Sequence, residues 1–131
     1  MKKFRTLFLA LLCVTSLGSA KEQNDNKVQT VESGKASWYS IKSNGGTITA
    51  SGKKLSNEAA TAAHKTLPLG STVKVTNEAN GKFEIVTITD RGPYIKGRVI
   101  DLTIGVAERL GFKKQGVANV KIEVIGHTKI K

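Results

Sequence analysis

Apart from Cys13, the 131-residue sequence contains no cysteine, and it has two prolines, few aromatics (5%) and 10 acidic residues against 21 basic ones. A lone cysteine excludes an internal disulfide and any thiolate metal cluster. His64 and His127 stand far apart, neither with a second ligand at a binding spacing, so no metal site and no cofactor are expected. "GSTVKVTNEANG" lacks the Lys-Ser ending of a phosphate-cradling loop, and no Gly-x-Ser-x-Gly nucleophile elbow occurs. The apolar run from Leu7 to Val14 falls short of the roughly twenty residues that a membrane span requires.

The first twenty residues, "MKKFRTLFLALLCVTSLGSA", combine a basic start, an apolar stretch and a small-residue exit. This pattern predicts a secretory signal peptide over residues 1–20, cleaved after Ala20. Leu12 precedes Cys13 where a lipoprotein would have a small residue, so no lipid anchor is expected there, and no membrane span remains after cleavage. The 111 residues left have no cysteine and must be held together by a packed core. Taking Lys2, Lys3 and Arg5 away leaves a net charge of +8, which favours anionic partners. Export removes the chain from nucleic acid, so the expected setting is the periplasm or cell envelope, or the medium, and the expected state is a monomer.

Residues 21–33, "KEQNDNKVQTVES", are polar and without periodicity, and read as a flexible lead-in. The folded domain is expected over 34–126, with a tail at 127–131. "STVKVTN" and "KFEIVTIT" alternate apolar and polar residues, and Asn80-Gly81 between them signals a hairpin turn. "GRVIDL" and "ANVKIEVIG" are further strands, the second with Val120, Ile122 and Val124 on one face. A helix is predicted after Thr103, which can cap it, with Ile104, Ala107 and Leu110 on one side and Gly111 at its end. "NEAATAAHK" is rich in Ala and Glu and reads equally as a second helix or as a loop. The expectation is one mostly-β domain, closed or nearly so, with one or two short helices.

Carboxylates are the remaining candidates for chemistry. Asp90 follows Ile85, Val86 and Ile88 and precedes Arg91-Gly92-Pro93, so it lies where a strand gives way to a turn. There it either carries a proton, with its affinity set by apolar neighbours or a guanidinium, or makes turn hydrogen bonds to backbone amides. Asp101, framed by Val99, Ile100 and Leu102, has the same two readings, with Arg98 near it.

"GKASWYS", "TASGKKL", "TAAHKTLPLGSTVKVTNEANGK", "TDRGPY" and "GRVIDLTIGVAERLG" occur in the order and spacing of the rare lipoprotein A (RlpA) family, which the chain resembles from about Gly34 to Ile125. The resemblance implies a six-stranded double-psi β-barrel and an exported, endolytic peptidoglycan lytic transglycosylase. Such an enzyme cuts between N-acetylmuramic acid and N-acetylglucosamine in glycan strands poor in stem peptides and leaves 1,6-anhydro ends. Matched motif by motif, it places the catalytic aspartate on Asp90 and the active-site histidine on His64, with Asp101 as a brace. A third family position, a glutamate eleven residues before that histidine, is here Lys53; Glu58 in the same loop is the nearest carboxylate that could replace it. Trp38, Tyr39 and Tyr94 are candidates for stacking on sugar rings, and Lys65 and Arg91 for holding an acidic lactyl group. Lys53 also favours an alternative, a non-catalytic glycan-binding barrel related to expansins.

Overall fold

Alternation along "STVKVTN" buries Val73 and Val75 and turns Thr72, Lys74 and Thr76 away from the core, and the neighbouring strands repeat this division. The computed structural model describes residues 31–44 and 47–130; the expected signal peptide, with Cys13, and most of the lead-in lie outside the described residues. In chain order the elements are β1 (Val31–Tyr39), α1 (Ile41–Asn44), β2 (Thr61–Ala63), β3 (Ser71–Asn77), β4 (Phe83–Asp90), β5 (Arg98–Thr103), α2 (Ile104–Arg109) and β6 (Val117–His127). The six strands close into a barrel in the order β1-β5-β2-β4-β3-β6. Two pairs are parallel, β1 with β5 and β2 with β4, and the other four contacts are antiparallel. This is the mostly-β, six-stranded double-psi arrangement expected, with two short helices, and closure leaves no free sheet edge.

The interior is filled from every strand. Ala36, Ala62, Val73, Val75, Val86, Ile88, Ile100, Leu102, Val120 and Ile122 meet there, and Val106, Leu110 and Phe112 join them from α2 and the turn after it. Each large apolar side chain so buried contributes about 1.5–3 kcal/mol, which is how the barrel dispenses with disulfides. Thr103 caps α2 as expected, its hydroxyl accepting the Val106 N–H while donating to the Ala59 carbonyl. Gly111 ends the helix at φ +83°, a conformation costly for any residue with a Cβ. The Leu110 carbonyl accepts from the side chains of both Asn77 and Asn80, so the hairpin turn between β3 and β4 holds the end of α2.

Two boundaries differ from the sequence reading. Strand pairing begins at Val31 opposite Glu123, not at Gly34, because the polar lead-in ends as a rung of the β1–β6 ladder. At the other end β6 runs on to His127, which pairs with Ser71. "NEAATAAHK" is not a helix: Thr61–Ala63 form a strand inserted between β4 and β5. Tertiary pairing there overrides alanine's helical preference, and Ala62 is fully buried in the interior.

Candidate active site

The three-residue strand β2 brings the two aspartates together. Ala63 is in register with Asp90 of β4 on one side and with Asp101 of β5 on the other. Between Ala62 and Ala63 the β2–β4 register shifts by one residue, a β-bulge at Thr89, and this makes Asp90 the neighbour of Ala63. Eleven positions apart in the chain, the carboxyls flank a single small residue on the outer wall of the barrel.

That wall is covered by the segment after β1. Tyr39, Leu55 and Ala63 form a second, small buried cluster, with Ile41 packed against it. Asp101 Oδ1 accepts a hydrogen bond from Ser37 Oγ at 3.0 Å. Burial raises the Asp101 carboxyl above its ordinary range; the Ser37 bond and Arg98 pull it back, and Asp90 pushes it up further. Asp90 Oδ1 accepts two backbone N–H groups, from Ala50 at 3.0 Å and Arg91 at 2.9 Å. It is thereby the anchor for the loop that runs past Ala50. Tyr39 is 7% exposed, and its hydroxyl is buried with no hydrogen-bond partner among the described residues. Burial and then the charges of Asp90 and Asp101 push the Tyr39 hydroxyl upward, so it keeps its proton beside the two carboxyls.

The other sequence candidates separate into groups. His64 is buried and its imidazole turns to Glu32: Nε2 lies 2.9 Å from Glu32 Oε2, while Nδ1 accepts the backbone N–H groups of Thr66 and Leu67, both at 3.1 Å. An Nδ1 that accepts twice leaves the ring proton on Nε2, donated to Glu32. The His64 backbone N–H, not the ring, reaches Asp90, through its carbonyl at 3.1 Å. The His64 ring thus faces Glu32, and only the His64 backbone bonds Asp90. Arg91 is likewise internal: its guanidinium donates to the His64 and Leu67 carbonyls at 3.0 and 2.7 Å and ties down the loop beyond β2.

Glu58 does not take the place of the missing family glutamate. It lies 3.9 Å from Arg109 and close against Gly105, at the start of α2. Lys53 and Lys65 are exposed. Tyr94 is 77% exposed after the Gly-Pro turn, with exposed Ile95 beside it, and suits an apolar rim. Tyr39 is too buried to stack on a sugar. Trp38 alternates to the opposite face, where it packs on the core, donates to the Lys113 carbonyl at 3.1 Å and borders a separate cavity with Gln115. Sequence reasoning missed Glu32, Ser37 and the role of the Tyr39 hydroxyl. The polar residues of a strand that alternates from Gly34 to Tyr39 were the available signal for Ser37; Glu32 gave none.

A family model described as "Lytic transglycolase" matches residues 31–122. The endolytic peptidoglycan transglycosylase RlpA of Vibrio cholerae is 52% identical over 94 residues, 72% of this chain and 35% of that protein. The RlpA of Rickettsia felis is 50% identical over 96 residues, 72% of this chain and 42% of its own. The probable RlpA of Synechocystis is 45% identical over 98 residues, 75% of this chain and 30% of its own. The chain thus spans well under half the length of these relatives. Among solved structures, the Streptomyces papain inhibitor shares 20% identity at a TM-score of 0.60, covering 76% of this chain and 98% of that one. An apo expansin of Clavibacter michiganensis shares 18% at 0.58, covering 73% and 50%. At such identities both report the barrel fold alone.

Proposed function

The chain belongs to the lytic transglycosylase family of double-psi β-barrels, and from that premise we propose that it is an exported endolytic peptidoglycan lytic transglycosylase whose proton carrier is Asp101, with Asp90 as its charged partner. The observation that carries this reading is the placement of two carboxyls on either side of Ala63, one of them with its proton affinity raised by burial. Sequence matching favoured Asp90 for the proton. The geometry favours the reverse: Asp90 is engaged by two backbone amides and holds a loop, whereas Asp101 accepts one hydroxyl bond and burial raises its proton affinity above the ordinary carboxylate range.

Protonated Asp101 donates to the glycosidic oxygen between N-acetylmuramic acid and N-acetylglucosamine, and the C1–O bond breaks with the N-acetylglucosamine as leaving group. Positive charge then develops at C1, and the Asp90 carboxylate stabilises it. The C6 hydroxyl of the same muramic acid attacks C1, its proton passes to the Asp101 carboxylate, and the C1–O6 bond closes the 1,6-anhydro ring. No water enters, and Asp101 ends as it began. Ser37 keeps the carboxyl in place, and Tyr94 borders the strand. The work is done outside the cytoplasm, where peptidoglycan lies; among the described residues no helix is long and apolar enough to cross a membrane.

The test is digestion of amidase-stripped sacculi followed by mass spectrometry of the glycan ends. Anhydro ends are expected from the wild-type chain, with Asp101→Asn lowering the rate by about 10²–10⁴, the usual contribution of a general acid–base group. Activity that survives Asp101→Asn but not Asp90→Asn would reverse the two roles. Absence of anhydro ends with the wild type would end the transglycosylase reading.

A further inference from the structure

Trp38 is the only tryptophan of the sequence, and the candidate active site does not use it. Alternation along β1 sends Ser37 to Asp101 and Trp38 to the other side of the strand, at the barrel end closed by α2 and the turn after it. There its indole packs on the core yet stays partly exposed, and its N–H donates to the Lys113 carbonyl at 3.1 Å. The ring is thus held at a fixed angle before any ligand arrives, which lowers the ordering that binding requires. Beside it opens a cavity of about 480 Å³, and a second of about 340 Å³ adjoins the first, since Gly111 and Gln115 line both. Together they form a groove along the connection from α2 to β6, with Trp38 at one end and Asn119 at the other. Its floor is well tied: Phe112 is buried, its N–H bonds the Ala107 carbonyl at 3.0 Å, and its own carbonyl accepts the Gly116 N–H at 2.9 Å. Gly111 contributes no side chain where the two cavities meet; a Cβ there would stand 2.9 Å from Asn80 Nδ2.

The polar groups along the groove divide into engaged and unengaged ones. The side-chain amides of Asn77 and Asn80 both donate to the Leu110 carbonyl, and their oxygens accept the Ala79 and Lys82 N–H groups. Glu108 and Lys113 pair with each other at 3.7 Å, so these two border charges give no advantage to an anion. Gln115 and Asn119 are exposed, and their side chains have no hydrogen-bond partner among the described residues. An aromatic ring of fixed orientation followed by amides that both donate and accept is chemistry that holds a sugar. The apolar face of a pyranose packs on the indole, and its hydroxyl and acetamido groups bond the amides. We infer that the groove is a second glycan site, holding β-1,4-linked N-acetylhexosamines away from the bond being cut. Each cavity falls within the range of about 300–1,000 Å³ usual for small-ligand sites, and the two in line accommodate a short run of rings. Packing on the indole needs close approach of the ring face, which a stem peptide on the same sugar obstructs, so the site selects bare stretches of glycan. The identity of the polymer as peptidoglycan rests on the transglycosylase reading; the sugar chemistry does not.

The test is titration of the purified chain with chitotetraose, a β-1,4 oligomer of N-acetylglucosamine that has no muramic acid and hence no bond for the enzyme to cut. Because there is no other tryptophan, fluorescence reports on Trp38 alone. A saturable change in intensity with a blue shift is expected, and the same change in Asp101→Asn. Backbone amide signals in NMR should move at Trp38, Gly111, Gln115 and Asn119. The double variant Gln115→Ala, Asn119→Ala alters only exposed side chains and should stay folded while binding about tenfold more weakly, the loss of two neutral hydrogen bonds. A silent Trp38, NMR shifts confined to the loop around Ala50 and Arg91, unchanged affinity in the double variant, or an equal response to maltotetraose, which has no acetamido group, overturns the inference. Anhydro ends scored in parallel on amidase-stripped sacculi separate the two readings. Products with a silent Trp38 remove the second site alone, and saturable binding without products removes the enzymatic reading while the sugar site stands.

Discussion

Replacing Tyr39 by Phe should make the barrel more stable and less active. The ring is packed with Leu55, Ala63 and Ile41, and Phe keeps those contacts; what is lost is a hydroxyl that is buried without a partner. Leaving such a group unsatisfied costs about 1–3 kcal/mol. The lower end applies here, because the dipole has two carboxyls near it even without a hydrogen bond, so a gain of about 1 kcal/mol is expected on removal. For a domain of this size that raises Tm by about 4–8 °C, readable by scanning calorimetry at pH 7. The activity should move the other way. Burial and the two aspartates keep the hydroxyl protonated, so it is a donor held beside the reacting groups, and deleting such a donor lowers kcat by up to about a hundredfold. A Tm that stays level or falls would show that the hydroxyl is satisfied, and an unchanged rate would remove it from the site.

Asp101 links proton binding to folding. Its folded affinity for a proton lies above the unfolded one, so its contribution to stability is full below the ordinary value of 3.8 and is lost as pH rises through the raised folded value. Asp101→Asn keeps an acceptor for Ser37 and should not show this loss. Its stability relative to wild type should therefore climb with pH across that window in urea titrations, and parallel curves would contradict the burial argument. Glu32→Ala removes the acceptor of the His64 ring proton. With Glu32 partly in water the cost should be about 0.5–1 kcal/mol by denaturant unfolding, with a smaller loss for Glu32→Gln, which still accepts; equal losses would point to a role for the charge itself.

Local pattern reached far along this chain but stopped at the site. The β3–β4 hairpin was legible because β3 alternates strictly, β4 largely so, and Asn80-Gly81 marks the turn, and α2 because Thr103 and Gly111 bound an apolar face. β2 was not legible, since three residues carry no period and alanine favours a helix; their strand character comes from the two neighbours they separate. The same reason hid the division between the aspartates. Asp90 and Asp101 both end β-branched runs, and what distinguishes them is supplied by Ser37 and Tyr39 from β1 and by Ala50 from the covering loop. Glu32 escaped notice because a polar stretch without periodicity gives no sign that its last residues will complete a ladder.

The placement of Ala63 between its two neighbours has a consequence for how this barrel tolerates change. The gap between Asp90 and Asp101 is two strand spacings, roughly 10 Å between backbones, whatever the length of chain that joins them. Residues around Tyr94 to Lys96 can accordingly be lengthened, shortened or exchanged to suit a different glycan surface without retuning the acid and its partner. The connector is free to diverge while the reacting geometry is inherited from hydrogen bonds to a strand only three residues long.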